Sequence, residues 1–292
     1  MKRVVVGLDG SPPSFAALRW AAMLASRADL DLVAAWAWLP GTVDLDPAST
    51  GSLLAAARRG LESWCAAAHP AKDPELVLVQ GDARPALLAV AEEQHADLLV
   101  VGPRGIGGPA GIRIGSVTSD LAHHTDRPLA IVPPETAGLR IDHVVLGVDG
   151  SAGCTAAIDF CADLAAALGV SVTATLAYDP LLEWVPAHDR HGWRRHAENR
   201  VDEWVDPLRS AGVTVDVEVD RDIHPAATLA RATAAHAGSI AVVGAHKLGG
   251  LTGLRRGRLP LQFLRQAVVP VVVVPAEHAA HTARADEPGG SR

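Results

Sequence analysis

A chain of 292 residues is about twice an ordinary domain length, which favours two domains over one. Its formal net charge of −7 excludes a general electrostatic grip on nucleic acid and leaves room only for local basic patches. Hydrophobic residues are 49% of the composition but come in short runs such as Val271-Val272-Val273-Val274, so no stretch approaches the length needed to cross a bilayer.

In chain order, Met1-Lys2-Arg3-Val4-Val5-Val6-Gly7 turns into a strand pattern within four residues, without the apolar region and cleavage site of a secretion signal. A cytoplasmic protein is the expectation. Strands are predicted at about residues 3–9, 30–37, 75–79, 97–101 and 128–132, separated by longer segments of helical period. Phe15, Leu18, Ala22 and Ala25 give the first helix a buried stripe. Apolar β-branched runs alternating with helices form βαβ units and a parallel sheet covered on both faces.

The series then repeats. Val4-Val5-Val6-Gly7-Leu8-Asp9-Gly10-Ser11 returns as Val144-Val145-Leu146-Gly147-Val148-Asp149-Gly150-Ser151, an offset of 140 residues. Asp97-Leu98-Leu99-Val100-Val101-Gly102 is echoed by Ser239-Ile240-Ala241-Val242-Val243-Gly244, and Arg127-Pro128-Leu129-Ala130-Ile131-Val132-Pro133 by Val269-Pro270-Val271-Val272-Val273-Val274-Pro275, both at 142. The fold class that follows is α/β: two tandem Rossmann-like doubly wound domains, each with a five-stranded parallel sheet. Their expected spans are 1–136 and 141–277, with the polar, aperiodic segment 278–292 as a disordered tail.

Cys65, Cys154 and Cys161 fall in Ala-rich helical contexts without metal-ligand spacing, which reads as buried reduced thiols. The thirteen histidines, His123-His124 included, show no recurring ligand spacing, and no structural metal is expected. Trp184, Trp193 and Trp204 with Tyr178 read as an apolar lid or core; Trp36 and Trp38 either border a pocket or pack beneath it.

Ligands of doubly wound sheets sit beyond the strand C-termini where strand order reverses, which directs attention to the loops after strands one and four. After strand one come Asp9, Gly10, Ser11 and Pro12. A carboxylate here accepts hydrogen bonds from a ribose hydroxyl or an adenine amine, or Asp9 and Ser11 simply turn the chain and cap the next helix. After strand four, residues 102–118 hold six glycines in seventeen positions before a helix. Glycines let backbone N–H groups approach an anion, and Ser116, Thr118 and the helix start add donors and a positive dipole end, so phosphate is the natural occupant. Arg104 and Arg113 add charge there or serve as solvated surface residues.

Gly102, two residues, Gly105, nine residues, then Gly115-Ser116 resembles the Gly-x2-Gly-x9-Gly-Ser/Thr loop of ATP-binding universal stress proteins. The Gly7-to-Ser11 motif, Arg19-Trp20-Ala21 and the closing strand from Pro270 to Pro275 resemble the same family, and between them cover both halves. The resemblance implies ATP with Mg2+. Asp9, Gly10, Ser11 and Ala35 would hold the adenosine side, while Gly102, Arg104, Gly105, Gly115, Ser116, Val117 and Thr118 cradle phosphates. It also implies self-association through last strands, at residues 130–133 and 271–274, within or between chains, which would cover an aggregation-prone edge.

From Gly244 onward the second half departs: Lys247 stands in place of the second glycine, and Gly257 is followed by Arg258. Either this half has become a structural partner, or it binds nucleotide in a modified way through Asp149 and Lys247, Arg255, Arg256 and Arg258. With no Walker-type Lys-Ser/Thr pair, water-positioning base or nucleophile elbow, fast phosphoryl transfer is not expected. The leading expectation is a nucleotide-dependent regulator of the stress response that acts on an unidentified protein partner. A weak ATPase or adenylyl-transferring enzyme and a nucleotide-independent interaction module are the alternatives.

Overall fold

Short runs of Val, Leu and Ala, shielded on both faces, set the framework of each half. The structure, a computed structural model, describes residues 1–39, 47–105, 114–136, 140–177, 192–221, 224–245, 263–276 and 278. The chain divides into two units, Met1–Arg140 and Ile141–Arg292.

The first unit runs β1 (Arg3–Leu8), α1 (Pro12–Arg27), β2 (Asp31–Trp38), α2 (Pro47–Ala68), β3 (Glu75–Gln80), α3 (Ala83–Glu93), β4 (Leu98–Val101), α4 (Ser116–His124) and β5 (Leu129–Ile131). Each strand lies within a residue or two of its expected bounds. β1 pairs with β2 and β4, β2 with β3 and β4 with β5, all parallel, giving the order 3-2-1-4-5. Strand order reverses between β1 and β4. That reversal opens a crevice where the two following loops diverge to opposite faces. β1 and β4 read as nearly continuous Val and Leu because helices cover both sides: α1 packs with α2, and α3 with α4.

The sequence makes α1 start where it does. Ser11 has extended backbone and its hydroxyl accepts from the N–H of Ser14 at 3.3 Å, while Pro12 and Pro13 fill first-turn positions whose N–H groups need no helical partner. Trp20, Leu18 and Leu24 are fully enclosed, each worth about 1.5–3 kcal/mol of burial. Phe15, expected in the buried stripe, is only half-buried. The helix is covered nearly all round, and Phe15, Arg19 and Met23 share the one partly open line, four residues apart.

The second unit repeats the plan with β6 (His143–Gly147), α5 (Ala152–Leu168), β7 (Ser171–Ala177), α6 (Trp193–Trp204), α7 (Asp206–Ser210), β8 (Val215–Asp220), α8 (Pro225–Ala235), β9 (Ser239–Ala245) and β10 (Val271–Pro275). Its parallel pairings, β6 with β7 and β9, β7 with β8 and β9 with β10, give the same order. Ser151 caps α5, and Gly169 closes it in the left-handed region at φ 64°. The offset of 140 holds as far as β8 and becomes 142 at α8, so the second copy's two extra residues lie between Asp220 and Pro225. All three cysteines are free and buried, as their helical contexts suggest.

Candidate functional site

β1 delivers its C-terminus to the crevice, and the next three residues form a tight turn. The N–H of Ser11 donates to Asp9 Oδ1 at 3.0 Å, and Ser14 Oγ donates to the Ser11 carbonyl at 2.9 Å. Asp9 therefore uses one carboxylate oxygen to hold the turn. Gly10 adopts φ +80°, and a Cβ there would lie 2.5 Å from Cζ2 of Trp64, whose indole rests on the glycine. Trp64, on α2, also meets Trp36 at the end of β2, with ring centroids 4.4 Å apart and planes tilted 54°. Ala35 sits one residue earlier on β2, in register with Gly7, and is buried.

The second carboxylate oxygen of Asp9 faces the loop after β4. A Cβ on Gly105 would collide with Oδ2, so the two loops converge closely enough that any larger residue at 105 must move the Asp9 carboxylate. Gly102 closes β4 against the first turn of α1: a Cβ would stand 2.9 Å from the carbonyl carbon and Cβ of Pro13. Its carbonyl accepts from the buried hydroxyl of Thr118 at 2.9 Å, which ties β4 to α4. That bond engages the Thr118 hydroxyl, leaving the residue's backbone N–H as its means of meeting an anion.

Gly115 is the N-cap of α4 and has no side chain to close the first turn; its own N–H donates to the carbonyl of Pro103 at 2.8 Å. This bond draws both ends of the loop together beside Arg104, whose Cα lies 3.3 Å from the Cβ position of Gly115. Helix geometry leaves the N–H groups of Ser116, Val117 and Thr118 without intrahelical acceptors, at the positive end of the α4 dipole. Ser116 and Val117 are exposed there. Residues 106–113, with Arg113, lie outside the described residues. Asp9, Gly102, Gly105 and Gly115 thus come together, whereas Ala35 lies across β1 from β4.

A family model described as the universal stress protein family matches residues 1–133 and again 140–275. The chain belongs to the universal stress protein family. It carries two of the family's domains in tandem. It is 32% identical over 291 residues to universal stress protein MT2698 of Mycobacterium tuberculosis, covering 92% of this chain and 95% of that one. It is 28% identical over 304 residues to universal stress protein Rv1996 of the same species, covering 92% and 94%. Among solved structures, a universal stress protein from Archaeoglobus fulgidus superposes with a TM-score of 0.70 at 16% identity, covering 94% of this chain and 98% of that one, a likeness of fold.

The second universal stress protein domain rebuilds the strand-one turn. The N–H of Ser151 donates to Asp149 Oδ1 at 3.0 Å and its hydroxyl to the same oxygen, while Gly150 adopts φ +70° beneath the indole of Trp204. Trp204 also carries the Arg200 guanidinium, 5.0 Å from its ring centroid. Gly244 meets the backbone of Gly153 and Cys154 where Gly102 met Pro13. In place of Ala35 stands Thr175, whose buried hydroxyl has no hydrogen-bond partner among the described residues. Lys247, Arg255, Arg256, Gly257 and Arg258 lie outside the described residues, so the altered loop has no structural account.

Neither Trp64 nor Trp204 stands out from its own segment as part of a ligand-binding turn. Their signal was in the repeat: the two tryptophans stand 140 residues apart, the offset of the Asp-Gly-Ser motifs they cover.

Proposed function

We propose that the first domain binds an adenine nucleotide, ATP with Mg2+, and that occupancy regulates the protein's interaction with a partner in the stress response. The observation that carries this reading is the convergence of Asp9 on Gly105. One acidic group and one glycine of the β4 loop meet at the strand-order reversal, the arrangement that suits a sugar-phosphate ligand. Asp9, Gly10, Ser11 and Ala35 flank the nucleoside side. Gly102, Arg104, Gly105, Gly115, Ser116, Val117 and Thr118 line the phosphate side, chiefly through backbone N–H groups. A Cβ at 105 would push the Asp9 carboxylate away from the loop and separate the two groups.

Among the described residues no three acidic, histidine or cysteine side chains gather to hold a metal. Mg2+ accordingly enters with the phosphates, with Asp9 as the nearby carboxylate and water completing its shell. A regulatory role fits a site whose nearby carboxylate, Asp9, is engaged in holding its own turn. The last strands would mediate self-association, and a cytoplasmic location suits a reduced thiol set; among the described residues no helix is long and apolar enough to cross a membrane.

The test is to incubate the nucleotide-stripped protein with Mg-ATP while following its unfolding midpoint and the ADP formed. At a hundredfold excess over Kd, one-site binding adds about 2.7 kcal/mol of stability. A raised midpoint with less than about one turnover per minute supports a regulator, far below the usual kinase range. Rapid ADP release supports the enzyme alternative, and an unchanged midpoint the interaction module.

A further inference from the structure

Opposite the loop-bearing end, where β6 begins, the second unit holds two stacked imidazoles. The rings of His143 and His236 lie 3.9 Å apart at 20°. His143 is buried, and its ring nitrogens meet Ser171 Oγ and Thr173 Oγ1, both at 2.9 Å. Thr173 Oγ1 also approaches His236 Nε2 at 3.5 Å. His143 stands on β6, Ser171 and Thr173 on β7, and His236 between α8 and β9, so the cluster joins elements across the middle of the sheet.

The first unit solves the same place differently. Subtracting the repeat offsets maps His143, Ser171 and His236 onto Arg3, Asp31 and Gln94. There the Arg3 guanidinium donates to the Gln94 carbonyl at 3.2 Å, to Gln94 Oε1 at 3.0 Å and to Asp31 Oδ2 at 3.1 Å. That cluster holds a guanidinium, a carboxylate and an amide, and no imidazole.

We propose that the His143–His236 pair is a pH-responsive lock that makes the second unit, and not the first, loosen as pH falls below neutrality. A neutral imidazole donates to one hydroxyl and accepts from the other, which suits the Ser171 and Thr173 pair. A proton on His143 adds a buried charge against the face of a second imidazole. Burial and then His236 hold His143 below the ordinary value of 6.5; Asp216, on β8 beside Thr173, acts in the opposite sense and is outweighed. The unfolded chain therefore takes up the proton more readily than the folded one. Stability from this group is complete above pH 6.5 and is lost as pH falls below it, the opening equilibrium rising by up to about tenfold per pH unit for one proton.

The test uses the full chain from pH 8 to pH 5. Ring NMR signals should give His143 a midpoint below 6.5, and amide exchange, corrected for its intrinsic pH dependence, should accelerate in β6 and β9 but not in β1 and β4. The variant His143→Arg, Ser171→Asp, His236→Gln installs the first unit's arrangement and should flatten the response of β6 and β9. A His143 midpoint at or above 6.5, an equal response in the first unit, or an undiminished response in the variant overturns the proposal. Should that variant fail to fold, His236→Gln alone decides: the midpoint of His143 rises if the rings are coupled, and an unmoved midpoint refutes the lock.

Discussion

Replacing Gly10 with Ala tests how the site's first turn is held. The new methyl group faces two separate costs. A left-handed backbone costs a residue with a Cβ roughly 1–2 kcal/mol. The Cβ also lies 2.5, 2.7 and 3.0 Å from three indole carbons of Trp64, the nearest roughly 0.9 Å inside ordinary contact. Trp64 has little room to retreat, because Trp36 stands 4.4 Å away, so the overlap adds about 1–3 kcal/mol. Urea unfolding followed by circular dichroism should show a loss of about 2–5 kcal/mol. Trp64→Leu alone loses packing, but combined with Gly10→Ala it removes the overlap and leaves only the backbone cost. The double variant should thus be more stable than the sum of the singles by about 1–3 kcal/mol. Additivity to within about 0.5 kcal/mol would refute the indole as the group that demands glycine.

Two threonines make opposite expectations. Thr118→Val removes the donor to the Gly102 carbonyl and should cost about 1–3 kcal/mol, whereas Thr175→Val replaces an unpartnered buried hydroxyl and should be neutral or stabilising, both read by the same unfolding assay. Gly105→Ala forces the Asp9 carboxylate aside; calorimetry should show Mg-ATP affinity falling by at least about tenfold, or 1.4 kcal/mol, with a smaller change in unfolding midpoint. Burial, with Asp73 adding to it, pushes the Cys65 thiol up to about 11, and burial raises Cys154 and, further, Cys161. A chromogenic disulfide reagent at pH 8 should therefore leave all three thiols intact in the native protein and titrate three after denaturation.

The strands were legible because parallel strands covered on both faces must be continuous apolar runs, as in Val4-Val5-Val6 and Leu98-Leu99-Val100-Val101. The start of α1 was legible because Ser11 and two prolines act locally. Phe15 was misjudged because a four-residue stripe describes a helix resting on one surface, and α1 is enclosed on almost every side. The glycines of the β4 loop stood out, yet what each one faces did not. Gly102 answers to Pro13, Gly105 to Asp9 and Gly10 to Trp64, contacts between residues 54 to 96 apart that local pattern does not encode. The histidine pair was invisible for the same reason: His143 and His236 are ordinary in their own segments and meet only when β6 and β9 pair.

Calorimetric titration of the nucleotide-stripped protein with Mg-ATP, beside the Gly102→Val, Gly105→Val variant, shows whether the first domain holds a nucleotide. Saturable binding with a stoichiometry near one per chain, lost in the variant, is expected; a stoichiometry near two would add the second domain as a site. Absence of binding, or binding that survives both valines unchanged, would contradict a nucleotide site at the junction of Asp9 and Gly105.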